Sequence, residues 1–308
     1  MTINRYCKKG GIGLSRTVAK EDLDSRAFGV INLGLLSIFT LIIVVPLWNV
    51  IVSSFSSGKS LAEGGFVFWP GEFSLENYQA VFRDTSIWQA FVISVLKTTI
   101  GVATHVFFCA MVGYGLSKQY VRGRKLYVAM GVITMFFSGG MIPTYLLIKS
   151  LGLLNSFWVY VIPALFSYYD VVILMNFFRN VPDSLEESAK IDGAGDWRIF
   201  LKIFIPLSMP ALATIALFNG VGQWNDFMTT KLYITDESLY PLQMKLYEII
   251  VQSQTQSMQN IGGSVVIETT TKGVQLATIV ITTLPIVVMY PILQKYFISG
   301  IMLGAVKE

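Results

Sequence analysis

A small set of polar and ionisable side chains lies inside long apolar runs, and any chemistry in this chain has to involve them. Lys97 and His105 fall in one run, Tyr168, Tyr169, Asp170 and Asn176 in a second, and Asn219, Gln223, Trp224, Asn225 and Asp226 in a third. Such groups are expensive in hydrocarbon, so they face a cavity or a partner in preference to lipid. Amides and carboxylates suit hydroxyl groups, and aromatic faces suit C–H surfaces. On that basis Lys97, Tyr168, Asp170, Asn176, Asn219, Trp224, Asn225 and Asp226 are candidates for the wall of a path through the membrane. Plainer readings stand beside this one. Lys97 and Asp226 fall toward the same end of their runs, where a structural ion pair accounts for them as well as substrate contact does. His105, the single histidine, reads as a hydrogen-bonded packing residue before a proton relay. Phe107, Phe108, Phe136, Phe137, Phe177 and Phe178 read as lipid-facing or packing residues.

Other chemistries lack their residues. Cys7 and Cys109 occupy different settings and give neither a disulfide framework nor a metal spacing. No His/Cys/Asp constellation of the kind a membrane enzyme needs is present. The phosphate-cradling pattern G-x-x-x-x-G-K-[ST] is absent, and Gly139-Gly140 and Gly262-Gly263 lack the Lys and hydroxyl it requires. The expectation is a chain without a catalytic site, metal or cofactor of its own.

The elements that position these residues follow from composition. Of 308 residues, 53% are hydrophobic and 14% charged, and the mean hydropathy is +0.59. Bilayer is the solvent such a balance implies. The net charge of +4 reads as basic loops beside anionic lipid, since no basic stripe interleaved with aromatics indicates nucleic acid. Six runs are long enough to cross about 30 Å of hydrocarbon as helices: residues 28–53, 89–117, 126–148, 156–178, 203–230 and 274–296. Residues 1–27 form a mostly polar tail ahead of a first run that is too long for the apolar core of a secretory signal and lacks its small-residue cleavage site, so that run is expected to be retained. With both termini cytoplasmic, the inner segments hold sixteen of the 23 Lys and Arg, the bias that sets orientation. Two long segments then lie outside, about 54–88 and 231–273. Trp69, Tyr78 and Trp88 suit the interface belt, and YPLQMKLYEII suits a short amphipathic helix or a partner contact.

The cytoplasmic segment between the fourth and fifth runs, NVPDSLEESAKIDGAGDWRIFLKIFIPLSMPAL, builds structure of its own. Pro182, Asp183 and Ser184 start a helix, Gly193 and Gly195 end it, and WRIFLKIF begins a second before Pro206 and Pro210. Ser188, Ala189, Gly193 and Ala194 form a face that a partner's backbone can approach. Glu186, Glu187 and Asp192 beside Lys190, Arg198 and Lys202 suit the fixing of its register. An ordinary amphipathic surface helix is the alternative from physics alone.

Glu187-Ser188-Ala189, Asp192-Gly193-Ala194, and then Ile203, Ile205, Pro206 and Leu207 resemble the EAA loop of membrane subunits of binding-protein-dependent ABC importers, E-A-A-x3-G-x9-I-x-L-P. Ser188 replaces the central Ala and Ile205 the Leu. MIPTYLLIKSLGLLNSFWVYVIP, A-x-x-x-Y-G-L-S-K, WNDF and YPILQKYFISGIMLGAVKE resemble the carbohydrate-uptake branch over most of residues 28–308. The likeness is to the smaller maltose-importer membrane subunit, and more closely to the lipoprotein-associated sugar and alginate-importer permeases. The resemblance implies an all-α type I importer fold of six transmembrane helices with a coupling loop at 182–202. It implies that Glu187, Ser188, Ala189, Asp192, Gly193, Ala194, Ile203 and Pro206 couple to an ATPase. It further implies a second homologous permease, two ATPase subunits holding ATP and Mg, an extracytoplasmic sugar-binding protein, and an oligosaccharide or glycan fragment as cargo. An ion-driven secondary transporter is the competing class. It would show inverted repeats and an intramembrane carboxylate relay, whereas Asp170 is the one carboxylate deep in a run.

Overall fold

A computed structural model describes residues 14–62, 65–259 and 272–291. The tail through residue 13, Gly262-Gly263 and the C-terminal motif beyond Pro291 lie outside the described residues. The described residues are mainly helical, and among them extended pairing is limited to one isolated bridge, Ser56 to Phe73.

Helix α1 (Leu14–Ser54) is followed by α2 (Gly58–Ala62), α3 (Glu76–Arg83) and α4 (Thr85–Ser117). Helix α1 begins ahead of the expected start at residue 28, and its apolar part, Ala27–Ser54, is exposed over most of its length, meeting the rest of the chain near its C-terminal end, where Trp48 Nε1 donates to the Phe68 carbonyl and Ser54 Oγ pairs with the Tyr78 hydroxyl. Asp84 caps α4, its carboxylate accepting from the Ser86 amide at 2.8 Å, which satisfies one of the orphan donors at a helix start. The run 126–148 is not one straight helix. It forms α5 (Arg124–Phe136) and α6 (Met141–Ser150), bent by 117° at Ser138-Gly139-Gly140, where Gly140 takes φ +83°.

The run 156–178 is also interrupted. A 3-10 turn at Phe157–Tyr160 leads through irregular backbone into α7 (Tyr168–Arg179). Twelve residues make a helix of about 18 Å, too short to cross hydrocarbon alone. Irregular backbone is tolerated at membrane depth only where protein or a cavity satisfies its polar groups. Here side chains do so: His105 Nδ1 bonds the Ala164 carbonyl at 2.6 Å, and Gln223 Nε2 donates to the Tyr160 carbonyl at 3.3 Å.

The surface segment comprises α8 (Asp183–Ile191), α9 (Asp196–Ile199), a π-helical turn over Phe200–Phe204, and α10 (Ile205–Leu207). A 79° bend then leads into α11 (Met209–Asn225), with Pro206 and Pro210 on either side of it, as residues that cannot donate to a helical ladder. Helices α12 (Met228–Tyr233), α13 (Leu242–Gln259) and α14 (Lys272–Pro291) complete the fold. The helix expected at YPLQMKLYEII is α13, docked on α4 through Leu242, whose amide donates to Ser94 Oγ at 2.7 Å.

Three described helices, Ala27–Ser54, Thr85–Ser117 and Lys272–Pro291, are long and apolar enough to cross a membrane, or five spans if each bent pair counts as one. The core lies where α4 meets α7 and α11. Small residues set the approach: a methyl at Gly113 would stand 3.2 Å from Leu174 Cβ, and one at Gly131 would meet the Tyr168 ring at 2.0 Å. Close backbone approach of this kind drives helix association where lipid offers no hydrophobic gain.

Candidate functional site

The surface segment owes its shape to one glycine. Gly193 adopts φ +78°, the left-handed conformation that costs an L-residue a Cβ clash with its own backbone. The Ala194 amide bonds the Ala189 carbonyl at 2.9 Å and the Gly193 amide bonds the Lys190 carbonyl at 3.0 Å. That pair is a Schellman motif closing α8. The added Cβ itself would meet nothing within 4 Å, so the constraint at Gly193 is conformational, not steric crowding.

The motif residues divide into two sets. Glu187, Ser188, Asp192 and Gly193 are exposed, whereas Ala189, Ala194 and Ile203 are half-buried against the chain's own core. The face of small residues expected for a partner is therefore split, with Ala189 and Ala194 spent on internal packing. Pro206 is exposed and flanks the 79° bend. Glu186 departs from its expected role as a surface charge. It is buried, and its carboxylate accepts from Lys118 at the end of α4 and from Lys190 at 2.7 Å. Burial opposes its charge, but those two lysines outweigh burial and hold the carboxyl below the usual carboxylate range.

The exposed face carries a further feature outside the motif. Ile191 is 87% exposed, and Trp197 and Leu185 of the same segment are exposed as well. Large apolar side chains left exposed in one short segment are a feature shared with interaction surfaces. The signal in the sequence was an Ile at the last position of a helix otherwise polar on that side.

A second feature is a cavity of about 990 Å³ bounded by α6, α7, α11 and the turn at Phe157–Tyr160. Of the predicted path residues, Asp170, Asn219 and Asp226 line it, together with Tyr169, Gln223, Thr144, Thr214 and Thr229. Asn219 Oδ1 is buried there without a hydrogen-bond partner among the described residues, an acceptor suited to a hydroxyl. Asp170 Oδ2 stands 3.0 Å from His105 Nε2. The Ala164 carbonyl on the other ring nitrogen can only accept, so Nδ1 carries a hydrogen and Nε2 faces the Asp170 carboxyl. His105 is thus the hydrogen-bonded tie between α4 and α7 that the plainer reading anticipated.

The remaining candidates do not line this cavity. Lys97 is fully buried, bonds Asp226 through its carboxylate at 3.3 Å and its carbonyl at 2.9 Å, and lies 4.6 Å from the Tyr160 ring centre. The structural ion pair is what the structure contains. Trp224 is buried, its Nε1 donating to the Thr282 carbonyl at 3.0 Å, with Phe91 against its ring. Tyr168 packs on Gly131 and lines a separate apolar pocket, Asn225 accepts from Gln243 at 3.0 Å, and Asn176 is exposed away from the cavity. Periodicity along a short helix separates Tyr168 from Tyr169, but the break that sets their phase is invisible in composition.

Residues 11–303 match the family described as binding-protein-dependent transport system inner membrane component. The chain is 42% identical over 288 residues to the polygalacturonan/rhamnogalacturonan transport system permease protein YtcP of Bacillus subtilis, covering 92% of this chain and all of that one. It is 30% identical to the diacetylchitobiose uptake system permease protein NgcG of Streptomyces coelicolor, over 94% of this chain and 92% of the relative. A crystal structure of a bacterial ABC transporter involved in the import of the acidic polysaccharide alginate contains a chain that superposes with TM-score 0.79 and 32% identity, covering 89% of this chain and 98% of that one. By these matches the chain belongs to the family of inner membrane components of binding-protein-dependent transport systems.

Proposed function

We propose that this chain is one of two membrane-spanning subunits of an ATP-driven importer for an oligosaccharide or glycan fragment. An extracytoplasmic binding protein delivers the cargo, a second homologous permease completes the pathway, and two ATPase subunits holding ATP and Mg supply the energy. The chain spans the membrane six times with both termini cytoplasmic, and it carries no ATPase site. The basic inner segments support this orientation.

The observation that carries the reading is the surface segment. Helix α8, closed by the Gly193 turn, presents Glu187, Ser188, Ile191 and Asp192 to solvent, while Ala189, Ala194 and Ile203 fix the same segment to the core that joins α4, α7 and α11. An outer face that docks an ATPase and an inner face that grips the spans are the two requirements of a force-transmitting element. The substrates for which the relatives are named, polygalacturonan or rhamnogalacturonan and diacetylchitobiose, support a carbohydrate cargo, and a cavity walled by Asp170, Asn219, Gln223 and Tyr169 has groups that bind hydroxyls.

Uptake by vesicles of the assembled transporter tests this reading. Galacturonan, alginate and chitin oligosaccharides are supplied with the cognate binding protein. Accumulation that requires ATP and persists with an uncoupler is the expected result. Accumulation that ignores ATP and collapses with the uncoupler would replace it with an ion-driven carrier.

A further inference from the structure

Beneath the exposed face of α8 lies a buried charge cluster that the motif does not include. Lys118, the last residue before α4 gives way to the loop, is about one-tenth exposed, and so is Glu186. Lys118 Nζ lies 4.0 Å from the centre of the Phe204 ring and 4.6 Å from that of Tyr114. Lys190, one turn beyond Glu186, donates to its other oxygen at 2.7 Å and sits 5.5 Å from the Tyr120 ring. Phe204 belongs to the π-helical turn, and its ring packs on Tyr114 of α4 at 4.8 Å and Phe178 of α7 at 5.8 Å. One ammonium therefore joins the end of α4, helix α8 and the π-turn that leads to the bend before α11.

A buried ion pair adds little net stability compared with an apolar contact, but it fixes geometry, and losing one partner strands the other charge. A charge-assisted hydrogen bond also tolerates less displacement than the surrounding aromatic contacts, which can slide. Stiffness at the junction between a docking helix and a span is what such a cluster provides. We propose that the Lys118–Glu186 pair is the joint through which displacement of α8 is transmitted to α4 and hence to the cavity, with Glu186 and Lys118 as positioning residues for coupling. This rests on the reading of α8 as the ATPase contact.

The test uses the assembled complex of permeases and ATPases and reads two quantities. One is ATP hydrolysis. The other is the labelling rate of a cysteine introduced by Thr214→Cys in the cavity wall, measured at that residue by mass spectrometry with a membrane-impermeant maleimide, with and without Mg-ATP and vanadate. In Glu186→Gln, hydrolysis is expected to stay within about twofold while the ATP-driven change in labelling falls about tenfold, the scale of a lost charge-assisted bond. Lys118→Met should do the same, and the double variant should fall no further than either single one, as expected for two members of one interaction. An unchanged labelling response in both single variants, or losses that add in the double variant, would overturn the proposal. Ile191→Arg separates the two readings. If it leaves the ATPase bound, the docking assignment fails. If it releases the ATPase while Glu186→Gln leaves the labelling response intact, only the joint fails.

Discussion

Gly193 and His105 act at the scale of a single residue, and for different reasons. At Gly193 the backbone has φ +78° and open space around the missing Cβ. Substitution therefore costs backbone strain of about 1 kcal/mol, and bulk at the site is not the cause. Uptake by reconstituted variants should fall in the order Gly, Asn, Ala, Val, because Asn visits the left-handed region more readily than the others. Equal activity of Asn and Val variants would contradict this. His105 bonds the Ala164 carbonyl and meets the Asp170 carboxyl, so His105→Leu removes both polar contacts of this tie between α4 and α7. A loss of about 1–3 kcal/mol should appear as a lower melting temperature in detergent, and an unchanged one would remove His105 from the fold's support. Polar residues within the runs were legible in the sequence as a set. Their sorting into cavity wall and scaffold was not, because Lys97 and Trp224 are assigned by what packs against them, and those partners, Asp226 and Thr282, are distant in sequence or on another span.

At the scale of the element, the surface segment was legible almost residue by residue. Pro182, Asp183 and Gly193 punctuate α8 as helix-start and helix-stop chemistry dictates, and helix α8 runs from Asp183 to Ile191. Composition hid the inward turn of Glu186, since facing is decided by Lys118, sixty-eight positions earlier. The acid sensitivity of this element follows from that contact. A carboxyl held below its ordinary range stabilises the folded segment above the unfolded value of about 4 and loses that contribution as pH falls through its lower folded value. Protection factors of the α8 amides, taken relative to the intrinsic exchange rate at each pH, should therefore stay high at neutral pH and fall only under acid conditions. In Glu186→Gln the fall with acid should be absent, and a fall of the same size would assign the sensitivity elsewhere. The bends were less legible. Gly139-Gly140 signals a break in 126–148, yet nothing in FWVYVIPALFSYYD except Pro163 announces a stretch without regular helix. That stretch persists because His105 and Gln223 supply the hydrogen bonds that a helix would have supplied itself.

On the scale of the whole molecule, the described residues hold three long apolar helices and two bent pairs, and the cavity is lined by α6, α7 and α11 together with the interrupted stretch before α7. The irregular stretch before α7 supplies Pro163 and Ala164 to the wall of that cavity. The surface segment joins the C-terminal end of α7 to the N-terminal end of α11, so it is continuous with two helices that line the cavity. The most direct measurement of this arrangement is cross-linking from a cysteine introduced by Ile191→Cys, at the most exposed apolar position of the segment, in the assembled transporter. The account predicts a covalent adduct between permease and ATPase, formed from the cytoplasmic side, with a yield that changes on addition of Mg-ATP. A complex that hydrolyses ATP and imports sugar yet gives no adduct from this position, or gives one with the extracytoplasmic binding protein, would contradict it.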